Sequence, residues 1–251
     1  MSGRLQSKVI VVTGGSSGMG KAFAQRAASE GAKVVIGARD ETNGNRAVAE
    51  IRAGGGEALF VPTDVTIEEQ VAVLVNKAVT EFGRLDGAFN NVGGTSLGKI
   101  REIGEVFWRD TIDRNLTSVF FSLKHEIPAI VASGGGSIVN NASTMGVIAD
   151  PNIAAYVAAK HGVIGLTRSA ALDAAREGVR VNALVTGLVD TPLFRESARN
   201  PEIQQYFLDM QPSGQIGKVE DVAAFTAFLL SDDATYITGA ALNIDGGVTA
   251  K

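Results

Sequence analysis

Short apolar runs recur along the 251-residue chain, and most are followed by a stretch with helical periodicity. Residues 8–12 (KVIVV) leave no room for polar alternation, as expected of a strand buried on both faces. Similar runs follow at 33–37 (KVVIG), 58–62, 87–90 (GAFN), 137–140, 180–185 (RVNALV) and 240–244. Helix-like stretches occupy 21–30, 42–53, 67–82, 105–130, the segment around Tyr156, and 220–230. In 67–82, Val71, Leu74, Val75, Ala78 and Val79 share one side. No linker, repeat or low-complexity stretch interrupts this alternation. The pattern predicts an α/β fold in which 1–251 form a single domain. Its core is a Rossmann-type, doubly wound parallel sheet of about seven strands with helices on both faces.

Two stretches stand apart. The long helix expected over 105–130 has an aromatic face of Phe107, Trp108, Phe120 and Phe121, which suits core packing or a partner helix. Asn115 lies inside it, where asparagine is a poor helix former, and this predicts a functional contact or a local kink. Residues 190–212 are bounded by prolines and mix Leu193, Phe194, Tyr206, Phe207 and Met210 with polar residues. After a sheet strand, such a segment reads as a substrate-binding lid.

Composition narrows the function. With 45% hydrophobic and 20% charged residues the chain can bury a substantial core. A net charge of −4 argues against a nucleic-acid binder. The absence of cysteine excludes thiolate nucleophiles and Cys-ligated metals, and two histidines argue against a His-rich metal site. The polar first eight residues do not form a signal peptide, and the uncharged stretch 127–149 is too broken by Pro128, glycines and asparagines to span a membrane. A cytoplasmic protein without a membrane partner is expected.

The first strand runs into Gly14-Gly15-Ser16-Ser17-Gly18-Met19-Gly20 and then a helix. Strand, glycine turn, helix is the layout of a diphosphate cradle, because glycines allow close approach and the free amides at the helix start face the charge. The corner after the second strand, which reads the adenosine ribose, holds Ala38 and Arg39 and has no acid before Asp40. Arginine there favours the 2′-phosphate, so NADP(H) is expected over NAD(H). Asn90-Asn91-Val92-Gly93-Gly94 follows the fourth strand, where it serves either the ligand crevice or loop capping. Tyr156 and Lys160, four apart, project from one helix face. A nearby ammonium favours phenolate, which would lower the tyrosine pKa toward the range useful for acid–base work.

Together these segments resemble the short-chain dehydrogenase/reductase family in its compact classical form, across essentially the whole chain. Thr13 to Gly20 is similar to the family's TGxxxGxG turn and 90–93 to its NNAG segment. Asn115, Ser143, Tyr156 and Lys160 match its catalytic tetrad, and 236–239 and 245–247 match its closing segments. The resemblance implies that Gly14, Ser16, Ser17, Gly18, Met19 and Gly20 line the diphosphate and ribose, that Asp64 and Val65 contact adenine, and that Asn91 and Gly93 lie along the adenosine side. It also implies that Val189 and Thr191 hold the carboxamide, that Lys160 binds the nicotinamide ribose, and that Asp86 steadies the sheet.

Three positions depart from the family pattern. Val92 replaces an alanine, Thr186 the proline usual before Gly187, and Ser17 a second basic residue of many NADP(H) users. The implied activity is NAD(P)(H)-dependent interconversion of a small-molecule carbonyl and its alcohol, in the direction of NADPH-dependent reduction of a ketone, oxoacyl or keto-sugar. The alternatives are an NAD-dependent alcohol or sugar dehydrogenase, an enoyl-thioester reductase and a non-catalytic dinucleotide sensor. A homotetramer assembled through the two long helices is the implied quaternary state.

Overall fold

Val9, Ile10, Val11 and Val12 are almost wholly buried, and their side chains alternate between two cores. Ile10 and Val12 join Phe23, Ala24 and Ala227 on one side, whereas Val9 and Val11 join Leu74, Val75 and Val163 on the other. A strand that feeds two cores has no solvated face, which is why its sequence shows no alternation. Each large side chain fully buried in this way contributes about 1.5–3 kcal/mol.

The computed structural model describes residues 3–250. Strands β1 (Val9–Thr13), β2 (Lys33–Ala38), β3 (Glu57–Pro62), β4 (Gly87–Asn90), β5 (Gly136–Asn141), β6 (Val179–Thr186) and β7 (Ala241–Ile244) form one sheet. Their order is β3-β2-β1-β4-β5-β6-β7, with every pairing parallel. Helices α1 (Gly18–Ser29) and α2 (Glu41–Ala53) contribute to the first core, and α3 (Glu68–Phe82) to the second. The strand order reverses between β1 and β4, so the crevice for a ligand lies beyond the ends of these two strands, at Thr13 and Asn90. Asp86, just before β4, accepts the Val9 amide (2.8 Å) and pairs with Arg84, pinning β1 beside β4.

The long helix differs from a regular one. It consists of α4 (Glu105–Ile112), a π-helical turn (Asp113–Thr117) and α5 (Ser118–Ala132), with Asn115 in the middle of the π turn. The asparagine thus sits at a local irregularity of the helix, and its side chain is bonded to Gly94 across the fold. Core packing does not account for its aromatic face: Trp108 and Phe120 remain 40% and 46% exposed. The helix α6 (Ala154–Ala174) carries Tyr156 and Lys160 and lies against β6. The segment 190–212 folds into two short helices, α7 (Pro192–Ser197) and α8 (Pro201–Asp209), neither of which has a buried residue. Proline occupies the first turn of both, where its missing N–H costs nothing, and Thr191 and Asn200 cap them. α9 (Val219–Leu230) packs against α1 and closes the first core.

Candidate active site

The glycine turn is built so that backbone meets backbone. Gly14 and Gly18 have φ of 68° and 51°, in the left-handed region. A Cβ on Gly20 would stand 2.3 Å from the Gly14 carbonyl oxygen and 2.8 Å from Asn91 Nδ2. α1 starts at once, with no side-chain cap from Ser17 and no acid in its first turn. Its leading amides and positive dipole end are therefore left for an anion. A Cβ on Gly18 would lie 3.3 Å from Thr191 Cγ2, which brings the start of α7 to the turn. Ser16 is half-buried and Ser17 exposed, while Met19 packs on the first core. Val189 is buried and bridges to Gly217.

At the far end of the cleft, Asp40 is committed to α2. It accepts the Asn43 amide (2.9 Å) and, through its other oxygen, the Asn43 side-chain amide, and these bonds lower its pKa. Arg39 is 74% exposed, and its nearest anionic partner is Asp64 at 3.9 Å. Asp64 is held by the Thr66 amide (3.0 Å) and hydroxyl (2.7 Å); Val65 beside it is buried. Arg39, Asp64 and Val65 thus gather beyond the ends of β2 and β3.

The second cluster is centred on Gly93. A Cβ there would be 2.7 Å from Asn115 Oδ1 and 3.1 Å from Lys160 Nζ, so glycine is required for these two groups to meet the loop. Asn115 is fully buried, and its Oδ1 accepts the Gly94 amide (2.9 Å). Its Nδ2 donates to the Gly94 carbonyl (3.1 Å) and to the Thr111 carbonyl (2.9 Å). In a regular α-helix, the latter would be the partner of the residue 115 amide.

Lys160 is buried, donates to the Asn141 carbonyl (2.8 Å) and stands 5.7 Å from the Tyr156 ring centre. Burial lowers its pKa to about 8. Tyr156 keeps part of its ring surface open, but burial of the phenol raises its pKa, against the opposing pull of hydrogen bonds with Ser143 and Thr95. This corrects the expectation that the neighbouring ammonium lowers it. Both groups are desolvated together, and the cost of exposing charge to the interior outweighs their attraction. Ser143 caps the 3₁₀ turn Thr144–Gly146 by accepting the Met145 amide (3.1 Å), which leaves its own O–H to donate elsewhere.

The structure adds a belt of polar side chains that sequence reasoning did not single out. Thr186 Oγ1 donates to Asn141 Oδ1 (2.6 Å), Asn141 Nδ2 donates to Asn91 Oδ1 (3.0 Å), and the Asn91 amide donates to Thr13 Oγ1 (3.1 Å). The belt ties together the ends of β6, β5, β4 and β1. Its only trace in the sequence is a polar residue at the C-terminal end of each of those strands. Thr186 departs from the family pattern by bringing a hydroxyl, and that hydroxyl is one end of the belt. Thr95 left no signal beyond its place after two glycines.

Comparison with known proteins places this geometry. A solved short-chain type dehydrogenase/reductase from Mycobacterium ulcerans superposes with a TM-score of 0.95 at 34% identity, covering 100% of this chain and 92% of its own. A family model described as Enoyl-(Acyl carrier protein) reductase matches residues 14–249. The chain is a short-chain dehydrogenase/reductase. As a member of that family it is an oxidoreductase using a nicotinamide dinucleotide. It is 42% identical to the cyclohexanol dehydrogenase of Acinetobacter sp. (strain SE19), over 100% of this chain and 98% of that one. It is also 42% identical to the cis-4-hydroxycyclohexanecarboxylate dehydrogenase of Sinomonas cyclohexanicum, over 97% of each.

Proposed function

We propose that this short-chain dehydrogenase/reductase interconverts a secondary alcohol on a six-membered carbocycle and the matching ketone, with NADP(H) preferred over NAD(H). The observation that carries the reaction type is the convergence of Ser143, Tyr156, Lys160 and Asn115 beside Gly93. The ring is suggested by the relatives, a cyclohexanol and a hydroxycyclohexanecarboxylate dehydrogenase. The cradle fits the cofactor, since Gly20 lets the turn close tightly on the Gly14 carbonyl and the leading α1 amides have no side-chain cap. Gly14, Ser16, Ser17, Gly18, Met19, Gly20 and Asn91 would hold its diphosphate side, Asp64 and Val65 its adenine, and Val189 and Thr191 its carboxamide. A bound nicotinamide supplies or accepts the hydride.

The chain's own groups manage charge and protons at the substrate oxygen. Tyr156 carries the proton given to that oxygen on reduction and takes it back on oxidation. Ser143, with its lone pair committed to the Met145 amide, donates to the same oxygen and stabilises charge as it develops. Lys160, 5.7 Å from the Tyr156 ring centre, offsets only part of the burial that raises the phenol's pKa and would bind the nicotinamide ribose. Asn115 fixes the loop carrying Gly93 and Gly94 on the Lys160 side.

Arg39 supports the NADP(H) preference because it is exposed and weakly engaged, while the nearest acid in sequence is spent on a helix cap. Trp108, Phe120 and Leu172, exposed on the helices around the site, support a homotetramer built through these faces. No helix among the described residues is long and apolar enough to cross a membrane.

The test is nicotinamide absorbance with NADPH and NADH in parallel, against cyclic ketones, their alcohols and enoyl thioesters. We expect turnover of the ring ketone and alcohol that drops at least 10²- to 10⁴-fold in Tyr156→Phe, the range attributed to general acid–base catalysis. Turnover confined to the enoyl thioester would replace this reading with the reductase activity in the family model's description. Cofactor binding without any turnover would make the protein a dinucleotide sensor.

A further inference from the structure

A second, deeper layer of polar groups lies one residue before the belt. Asn90 and Asn140 face each other in the β4–β5 register and immediately precede Asn91 and Asn141. Asn90 Nδ2 donates to Asn140 Oδ1 (3.0 Å) and to Glu126 Oε2 (2.9 Å), and Asn140 Nδ2 donates to Thr167 Oγ1 (2.9 Å). Glu126, on α5, is completely buried, as are Asn140 and nearly all of Asn90. None of these groups has a role in the chemistry derived above.

The hydrogen-bond count of this layer does not close with an ionised carboxylate. Among the described residues, three buried side-chain polar atoms have no partner, and two of them are Asn90 Oδ1 and Glu126 Oε1. Both are acceptors on residues already bonded to each other, so what the pair lacks is a donor. The small void beside Asn90, lined by Val65, Val92 and Val119 and by Thr13, Ser118 and Ser122, has no room for a water, and none of the three hydroxyls bonds either oxygen. A proton on Glu126 turns one acceptor into a donor and leaves an acid–amide pair in place of two orphaned oxygens.

The elements packed on α5 offer Glu126 no compensating charge. β4 and β5 have no titratable side chain. From β6, Arg180 is spent on the carbonyls of Leu229, Ser231 and Ile237. From α3, Glu68 pairs with Lys124 and His125 at the rim and Lys77 with Glu81, while Glu69 is exposed. On the π turn, Asp113 accepts from Thr117, and Arg114 pairs with Asp110 of α4. On α6, Lys160 is held by the Asn141 carbonyl, and His161, Arg168 and Asp173 are exposed.

We propose that Glu126 works as an uncharged carboxylic acid whose proton clasps the ends of β4 and β5, and so positions Asn91 and the Asn141 carbonyl that holds Lys160. It is a positioning residue, remote from the reacting atoms. Burial, opposed only by the Asn90 hydrogen bond, pushes its pKa up to about 7. The clasp is therefore closed in mildly acidic solution and opens as the pH rises past neutrality.

The direct test is infrared spectroscopy of wild-type protein carrying carbon-13-labelled glutamate. One glutamic acid should keep its protonated carbonyl band at about pH 6, where exposed glutamates are ionised, and lose it by about pH 9. E126Q, which keeps the shape without the ionisation, should lack that band. Its melting temperature and its affinity for NADPH and NADH, read by nicotinamide fluorescence, should hold between about pH 6 and 7.5, below the window in which Lys160 acts, whereas both decline in wild type. A labelled wild type without the band overturns the proposal, and that reading needs no variant to fold. Melting or affinity profiles that run parallel in wild type and E126Q overturn it as well. None of these readouts requires the substrate, so they stand or fall apart from the proposed reaction.

Discussion

The floor of the site and the segment proposed as its lid are built on opposite plans. Beneath the reaction centre, Asn115, Lys160, Asn141 and Thr186 are all buried, and each has its hydrogen bonds fixed by a neighbouring strand end or loop. The segment proposed as its lid, here called the roof, differs: α7 and α8 have no buried residue, Phe194 and Phe207 touch at 5.6 Å between ring centres, and Tyr206 leans on Phe207 at 5.8 Å. The Arg195–Asp190 pair in the roof (2.7 Å) is exposed, a kind of contact worth little in water. A desolvated floor holds chemistry in one geometry, whereas a roof with few buried contacts can open at low cost. The difference predicts that floor substitutions act on turnover and roof substitutions on substrate affinity.

The largest effect should come from Lys160→Met, and it should separate catalysis from stability. Turnover is expected to fall by about 10²-fold or more, the scale of a lost acid–base or charge-stabilising group. Melting temperature should hold or rise, because an ammonium whose pKa is lowered from 10.5 to about 8 is destabilised by its burial. The sign can be checked by titration. The unfolded chain binds more protons than the folded one between about pH 8 and 10.5, so this lysine makes wild-type stability rise with pH in that window. K160M should lose the rise, and a variant that melts lower than wild type at every pH would contradict the account.

Gly93→Ala comes next. The added methyl must displace Asn115 Oδ1 or Lys160 Nζ, and steady-state kinetics should show kcat reduced by about tenfold or more, as expected of misplaced catalytic groups. Arg39→Ala should raise KM for NADPH by about tenfold while leaving that for NADH unchanged, a charge-assisted bond to phosphate being worth roughly 1.5–3 kcal/mol. Equal effects on the two cofactors would make Arg39 a surface residue. The smallest change is expected from Phe194→Ala in the roof, with substrate KM raised a few-fold, kcat nearly constant, and melting temperature within about 2 °C of wild type.

The inner strands were legible because they are buried on both faces, so β1 and β4 are short apolar runs closed by a polar residue, whereas the edge strands β3 and β7 are only partly covered. The cradle and the Tyr156–Lys160 pair were legible because backbone approach demands glycine and helical spacing demands four residues. Other features were not. The π turn leaves no hydrophobic signature, and only the oddity of Asn115 pointed to it. The phenol's electrostatics were misjudged because burial is a property of the assembled fold, invisible in a four-residue motif. Asn141 and Thr186 lie 45 residues apart, and only the β5–β6 register brings them into one hydrogen bond.

The paired bonds between Asn115 and Gly94 have one more consequence. A single amide side chain gives and takes a hydrogen bond with the same residue, which is how one peptide group answers another across a β-ladder. Asn115 is in effect a strand one residue long, reaching out of a helix to carry the sheet's edge pattern past the point where β4 stops. Aspartate could imitate only the accepting half of that rung and leucine neither, while glutamine would overshoot by a methylene. The loop beside the reaction centre thus borrows the stiffness of a sheet without the extra chain a true strand would require.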